Sequence, residues 1–319
     1  MIFRPCILLL VKSSFVFSFV ISLSSFLVCH VAFAQNPNQS GPFQVARGEY
    51  KFAAKVDLEV LKGEKTELWA SVTWPTDLKV ARPILFFMHG NHGTCGVKSS
   101  SGVLDDSDCS YTVKGTCPAG MQVIRNHAGY DYLASHLATY GFIVVSINSN
   151  RGITCGAGDE NDFGLNLARG RLVLRHLESW HRWSAAGGAP RSIGGGPDTF
   201  LNKIDFSNIG LLGHSRGGEG MRAALNLYRD KGSPWPARIP AAQFKGVFEI
   251  GAVDGQTSRT LDAESVAWNQ LLPMCDGDVS ELDGRLPFER MLKKSNESAH
   301  EPWLVQSCWL FLRGCVVRS

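Results

Sequence analysis

The chain has 319 residues, 44% of them hydrophobic and 19% charged, enough apolar material for one large α/β domain or two modest ones. With 32 basic and 29 acidic residues the formal net charge is +3, and the basic residues do not fall in blocks. That argues against a nucleic-acid surface as the main business of the chain, because such surfaces need clustered cations.

Residues 1–34 read as a cleaved secretory signal. Arg4 and Lys12 precede a Ser-dotted apolar run over 15–31, and Ala32-Phe33-Ala34 makes a small-x-small cleavage site before Gln35. A membrane anchor is the competing reading, since the apolar run is nearly long enough to span. The cleavage signature and the polar stretch that follows favour the signal, so the mature protein is expected to be soluble, without a stable membrane anchor, and secreted or periplasmic. Export sets how the cysteines are read. Cys95, Cys109, Cys117 and Cys155 are expected to form disulfides that pin a long loop, with the pairing left open. Zinc is not expected there, because no Cys-x-x-Cys pair is present.

After a polar linker over 35–47, residues 50–74 alternate as an antiparallel hairpin should, with Lys62-Gly63-Glu64-Lys65 at the turn and Leu68, Ala70, Val72 and Trp74 on one face. Residues 83–88 are a continuous apolar run, typical of a strand buried on both faces. His89-Gly90-Asn91-His92-Gly93 follows directly. Residues 95–129, rich in Ser, Asp and Cys, form a long excursion of the kind made for function or as a clamp. Tyr130, Leu133, Leu137 and Tyr140 mark a helix closed by Gly141. Residues 142–147 are the next buried strand, and Asn161-Asp162 can cap a long helix carrying Leu165, Ala168, Leu172, Val173, Leu177 and Trp180 inward.

A Gly/Pro-rich loop around 187–198 leads into Ile209, Leu211 and Leu212, then Gly213-His214-Ser215-Arg216-Gly217, then a helix with Met221, Ala224, Leu225 and Tyr228 at helical spacing. Gly-x-Ser-x-Gly between a strand and a helix is the pattern of a nucleophile elbow, a strained turn that lifts a serine hydroxyl above the sheet. The glycines are needed where a Cβ would crowd the turn. The helix N-terminus behind Ser215 favours developing negative charge. Residues 244–250 and 267–274 read as two further strands, opening into loops that carry Asp254, Asp276 and Asp278. Strands alternating with helices over this length predict a mostly parallel central sheet with helices on both faces, preceded by the antiparallel hairpin.

With the elbow, the His89-Gly90-Asn91-His92-Gly93 loop and Asp276 in place, the chain resembles the secreted bacterial α/β-hydrolases of the dienelactone-hydrolase, platelet-activating-factor-acetylhydrolase and polyester-hydrolase-like group. The likeness runs over roughly residues 50–290, and the hydrolase domain is expected over 48–295. It implies carboxylesterase- or lipase-like hydrolysis of a small-molecule or polymeric ester, with a peptide or lactone bond as the lesser alternative; no cofactor and no metal are expected. Ser215 would be the nucleophile, and the backbone N–H groups of Asn91 and Arg216 the oxyanion hole. Chain order in this fold is Ser, then Asp or Glu, then His. Asp276 is the first choice for the acid, Asp278 lies two residues on, and Asp254 is an outside choice. His300 is the only histidine beyond them; no apolar strand precedes it, and it reads more as a bystander than as the base. Residues 296–319 do not resemble the end of a hydrolase and are expected to replace it. His89, His92 and His214 are nearer the expected site but on other loops, while His136, His176 and His181 fall on helices as packing or surface residues. The alternative to an esterase is a hydrolase-fold protein without turnover, a truncated product or a binding module that lacks the triad histidine.

Overall fold

The computed structural model describes residues 36–98, 108–273, 275–297 and 309–310; the signal-like segment, Met274 and His300 lie outside the described residues. The chain divides into Met1–Gln39 and Ser40–Ser319, and the architecture is that of the second unit. β1 (Val45–Lys51), β2 (Lys55–Val56), β3 (Lys65–Thr66) and β4 (Trp69–Pro75) form the antiparallel hairpin: β1 pairs with β4, and β2 with β3. The pairing starts at Val45, earlier than the alternation suggests, because the first residues of β1 are half exposed and carry little pattern. Ala70, Val72 and Trp74 enter the main core, and Leu68 packs against it.

β4 hands over to a parallel sheet. β5 (Arg82–Met88) is followed by a two-stranded ladder of β6 (Cys95–Gly96) and β7 (Gln122–Val123), and then by β8 (Ile143–Asn148), β9 (Ile204–His214), β10 (Phe244–Ile250), β11 (Ala267–Leu271) and β12 (Trp309–Leu310). The main sheet has the order β1-β4-β8-β5-β9-β10-β11-β12, with every pair from β8 onward in that order parallel. β12 is a finding the residue pattern does not offer, since two residues cannot show a period; it places a strand in the tail, parallel to Gln270–Leu271.

The helices are α1 (Ser110–Lys114), α2 (Asp131–Thr139), α3 (Asn166–Ala186), α4 (Arg216–Arg229), α5 (Trp235–Arg238) and α6 (Arg285–Glu297). Successive strand side chains point to opposite faces, and both faces of the central strands are apolar. Phe86, Val145 and Leu211 pack with Leu172, Leu177, Met221 and Leu225 of α3 and α4. Phe87, Val144 and Leu212 pack with Ala134 of α2. Each fully buried Val, Leu, Phe or Met among them stabilises the fold by about 1.5–3 kcal/mol. Beside α2, Leu85, Phe87, Leu133, Leu137, Leu212 and Phe248 line an apolar groove of about 390 Å³.

The start of α3 is held by Asp162, whose carboxylate accepts from the Leu167 and Ala168 N–H groups at 2.9 Å each, the capping expected of an Asp near a helix N-terminus. The cysteine cluster resolves into Cys95–Cys117 and Cys109–Cys155, which clamp the excursion after β5. No helix among the described residues is long and apolar enough to cross a membrane. The disulfides and this finding are compatible with an extracellular or periplasmic protein.

Candidate active site

Ser215 stands between the end of β9 and the start of α4 with φ 54° and ψ −128°, a region that costs a non-glycine residue about 1–3 kcal/mol and persists only where surroundings enforce it. The enforcement is visible. The Ser215 N–H donates to the Ile250 carbonyl at 3.0 Å, continuing the ladder to β10, while its own carbonyl accepts from Gly218 at 2.9 Å and opens the helix. The flanking glycines are required by space. A Cβ on Gly213 would lie 2.3 Å from the Gly217 carbonyl oxygen, and one on Gly217 would lie 2.4 Å from that of Met88. The turn therefore touches the end of β5, and the β5 loop passes directly over it.

That loop, residues 89–93, is held at several points. His89 is buried. Its Nε2 accepts from the Ser149 N–H at 3.0 Å, so the ring proton sits on Nδ1 and donates to the Gly90 carbonyl at 2.8 Å. Burial keeps this imidazole well below the usual histidine range, and therefore neutral. Asn91 Oδ1 accepts from the Cys155 N–H at 2.8 Å, and Asn126 Nδ2 donates to the Gly93 carbonyl at 2.9 Å. Among the described turns and loops no backbone carbonyl accepts from the Asn91 or Arg216 N–H.

The acidic residues separate. Asp276 lies just past β11, and a Cβ on Gly251, the residue after β10, would sit 3.2 Å from its Oδ2. Its Oδ1 accepts from the N–H groups of Asp278 and Val279 at 3.0 and 2.8 Å, while Asp278 is exposed. Asp254 is occupied elsewhere: Arg222 Nη1 donates to its Oδ1 at 2.8 Å and Arg290 Nη1 to its Oδ2 at 2.7 Å. It is thus an ion-pair partner rather than a candidate acid.

Among the histidines, His92 and His214 stack beside the turn with ring centroids 5.7 Å apart and planes 8° off parallel. Burial, then His92, lowers the affinity of His214 for a proton, and the Asp276 and Asp278 carboxylates act against that. Asp276 and His214 therefore share one electrostatic neighbourhood at the carboxyl ends of β9, β10 and β11. No described residue hydrogen-bonds the Ser215 hydroxyl. His176 is a packing residue, its Nδ1 accepting from the buried Tyr50 hydroxyl at 2.6 Å. His136 and His181 sit against Tyr140 and Phe206.

Beneath the turn lies a set of charges the sequence pattern does not reveal. Glu219, in the first turn of α4, is fully buried; burial pushes its carboxyl up to about 7 despite the Arg222 cation nearby. It accepts from the Gly255 N–H at 2.9 Å and from Asn166 Nδ2 at 2.5 Å, tying the loop after β10 and the start of α3 to the elbow helix. Arg169 is also fully buried, with Nη1 donating to the Gly164 carbonyl at 2.8 Å, and burial lowers it to about 9. Among the described residues, no group of three or more His, Cys, Asp or Glu side chains is arranged to hold a metal ion. Compared with models of known protein families and with curated proteins, the chain matches none.

Proposed function

We propose that the protein is an exported serine hydrolase of the α/β-hydrolase type, acting on carboxylic esters through an acyl-enzyme. The observation that carries this is the backbone of Ser215, a non-glycine residue in a sterically costly conformation at a strand-to-helix turn walled by glycines. Strain of this kind at a hydroxyl-bearing residue is how a nucleophile is presented. In the reaction Ser215 Oγ attacks the ester carbonyl as a base takes its proton. The oxyanion is received by the N–H of Asn91, on the loop after β5, and by that of Arg216 at the N-terminus of α4, whose dipole favours negative charge. Collapse expels the alcohol, and water then releases the acid and restores the serine.

Asp276 is assigned as the carboxylate that orients the base, supported by its place past β11 and by its Oδ2 lying against Gly251 at the end of β10; Asp278 is the substitute. His300, outside the described residues, is the base that chain order assigns. The signal-like segment 1–34, with the Cys95–Cys117 and Cys109–Cys155 disulfides, supports export.

The test is labelling of the mature protein with a fluorophosphonate probe, beside Ser215→Ala and His300→Ala. Labelling that needs Ser215 is the expected outcome, and labelling that also needs His300 would mean that the tail completes the triad. Labelling that survives His300→Ala moves the base to another histidine, His92 or His214 first. A folded protein that does not label is a hydrolase-fold protein without turnover, and the esterase assignment falls.

A further inference from the structure

The loop that carries the Asn91 N–H takes its position from a second loop, residues 149–155 after β8. The Ser149 N–H holds His89 Nε2 at 3.0 Å, and the Cys155 N–H holds Asn91 Oδ1 at 2.8 Å. Cys155 Sγ lies 3.1 Å from the His92 carbonyl oxygen. Asn126 joins both loops, with Nδ2 at 2.9 Å from the Gly93 carbonyl and from Asn150 Oδ1. The second loop is in turn fastened to α1. The Gly152 N–H donates to the Thr112 carbonyl at 2.9 Å, Thr112 Oγ1 donates to the Thr154 carbonyl at 2.6 Å, and Cys109 is bonded to Cys155. Cys155 has φ 61°, a left-handed conformation that costs a side-chain-bearing residue about 1–2 kcal/mol. Cys155 is thus held on three sides at once, by its N–H on Asn91, by its bond to Cys109 and by its place in the loop after β8.

From this chain of contacts we infer that the Asn91 side chain and the Cys109–Cys155 disulfide are positioning groups for the backbone of residues 89–93, and through it for the oxyanion site; the second half rests on the serine-hydrolase assignment. The Asn91 side chain is the contact that connects the two loops at the residue whose N–H is used. The disulfide tethers Cys155, whose N–H donates to Asn91, to the start of α1. Neither group touches the reacting atoms. Cys95–Cys117 leaves the same loop at its far end, where Cys95 and Asp108 exchange backbone hydrogen bonds.

Two variants test it, Asn91→Ala and the pair Cys109→Ser with Cys155→Ser. Asn91→Ala keeps Cys95–Cys117 and Cys109–Cys155 intact, so the question stays answerable if the cysteine variant does not fold. Backbone hydrogen exchange of residues 89–93 is measured first and needs no turnover; it should speed up at least about tenfold in either variant, since local opening governs exchange. Ester hydrolysis is then measured on p-nitrophenyl acetate and divided by the number of sites titrated with fluorophosphonate. The expected result is a kcat per titrated site about ten- to a hundredfold lower, as a displaced donor produces, with KM within about twofold. A purely structural role would lower the number of titrated sites and leave kcat per site alone. Unchanged exchange in Asn91→Ala overturns the inference, and so does faster exchange with unchanged kcat. A wild-type protein that never labels, but whose loop exchange responds to Asn91→Ala, would sink the hydrolase assignment and uphold the positioning.

Discussion

Arg222 and Glu249 meet in the interior, guanidinium Nε to carboxylate Oε1 at 2.6 Å, with both side chains fully buried. The same arginine reaches Asp254 and the carbonyls of Val253 and Leu261, and Glu249 Oε2 accepts from Trp268 Nε1 at 3.1 Å. α4, β10, β11 and the loop after β10 are thereby joined beneath the elbow. Removing one partner leaves an uncompensated buried charge, which is far costlier than losing the pair together. Arg222→Met is expected to destabilise the protein by about 3–5 kcal/mol in urea unfolding. The double variant Arg222→Met with Glu249→Gln should recover part of that loss. Equal losses in the single and double variants would show that the charge pairing is not what Arg222 supplies.

Glu219 makes stability depend on pH in a sense opposite to most carboxylates. Burial raises its folded-state pKa from 4.5 to about 7, with Arg222 opposing and Asp254 assisting. Between those values the folded state holds a proton that the unfolded state has released. The stabilisation is complete below about pH 4.5 and is lost as pH rises through 7, by about 3 kcal/mol in all. His176, lowered to about 3 by burial, works the other way: its contribution is lost as pH falls below 6.5. Both proteins share it, so Glu219→Gln isolates the glutamate. Wild type should lose stability relative to Glu219→Gln between pH 4.5 and 7.5, and parallel pH profiles would show that Glu219 does not titrate in this window.

Much of this site was legible because the relevant signals are local. Gly213 and Gly217 around Ser215, next to a strand and a helix at the right periods, mark the turn in five residues, and the apolar run 83–88 fixes where the His89–Gly93 loop must emerge. The cysteine cluster was legible as a clamp but not as pairs, since Cys95 finds Cys117 and Cys109 finds Cys155 only once the excursion folds back. Asp254 resembles Asp276 in sequence, an Asp after a strand and beside Gly. Only the packing of Arg222 and Arg290 separates them, and those residues are distant along the chain. The roles of Ser149, Asn126, Asn166 and Glu219 left no pattern, because a buried hydrogen bond between loops carries no period.

Tyr50 offers a test of the hairpin's attachment to α3. Its hydroxyl donates to His176 Nδ1 at 2.6 Å and accepts from Trp180 Nε1 at 3.3 Å. Burial raises the phenol and lowers the imidazole, so both stay neutral. Tyr50→Phe removes the bridging oxygen and leaves two buried polar atoms without it, for an expected loss of about 1–3 kcal/mol. Ser215 labelling, measured per folded molecule, should not change. A stability within about 0.5 kcal/mol of wild type, the range of ordinary surface substitutions, would mean that the network does not hold β1 to α3.

Gly90 tests the contact between the β5 loop and the elbow. A Cβ there would lie 2.8 Å from Ser215 Cβ and 3.1 Å from His214 Nδ1, closer than atoms in a packed interior approach, so either the loop or the turn must move. Both are anchored, the turn by the Ile250 carbonyl and the loop by Ser149 and Cys155. Gly63 is the control: with φ +84° and nothing within 4 Å of its Cβ position, Gly63→Ala costs only local backbone strain of about 1 kcal/mol and should leave Ser215 untouched. Gly90→Ala is expected to slow fluorophosphonate labelling of Ser215 at least about tenfold, since displacements near 1 Å cost that much or more, while the protein remains folded by circular dichroism. Labelling at the wild-type rate in Gly90→Ala would show that the loop can retreat without disturbing the serine, and that residues 89–93 do not set its reactivity.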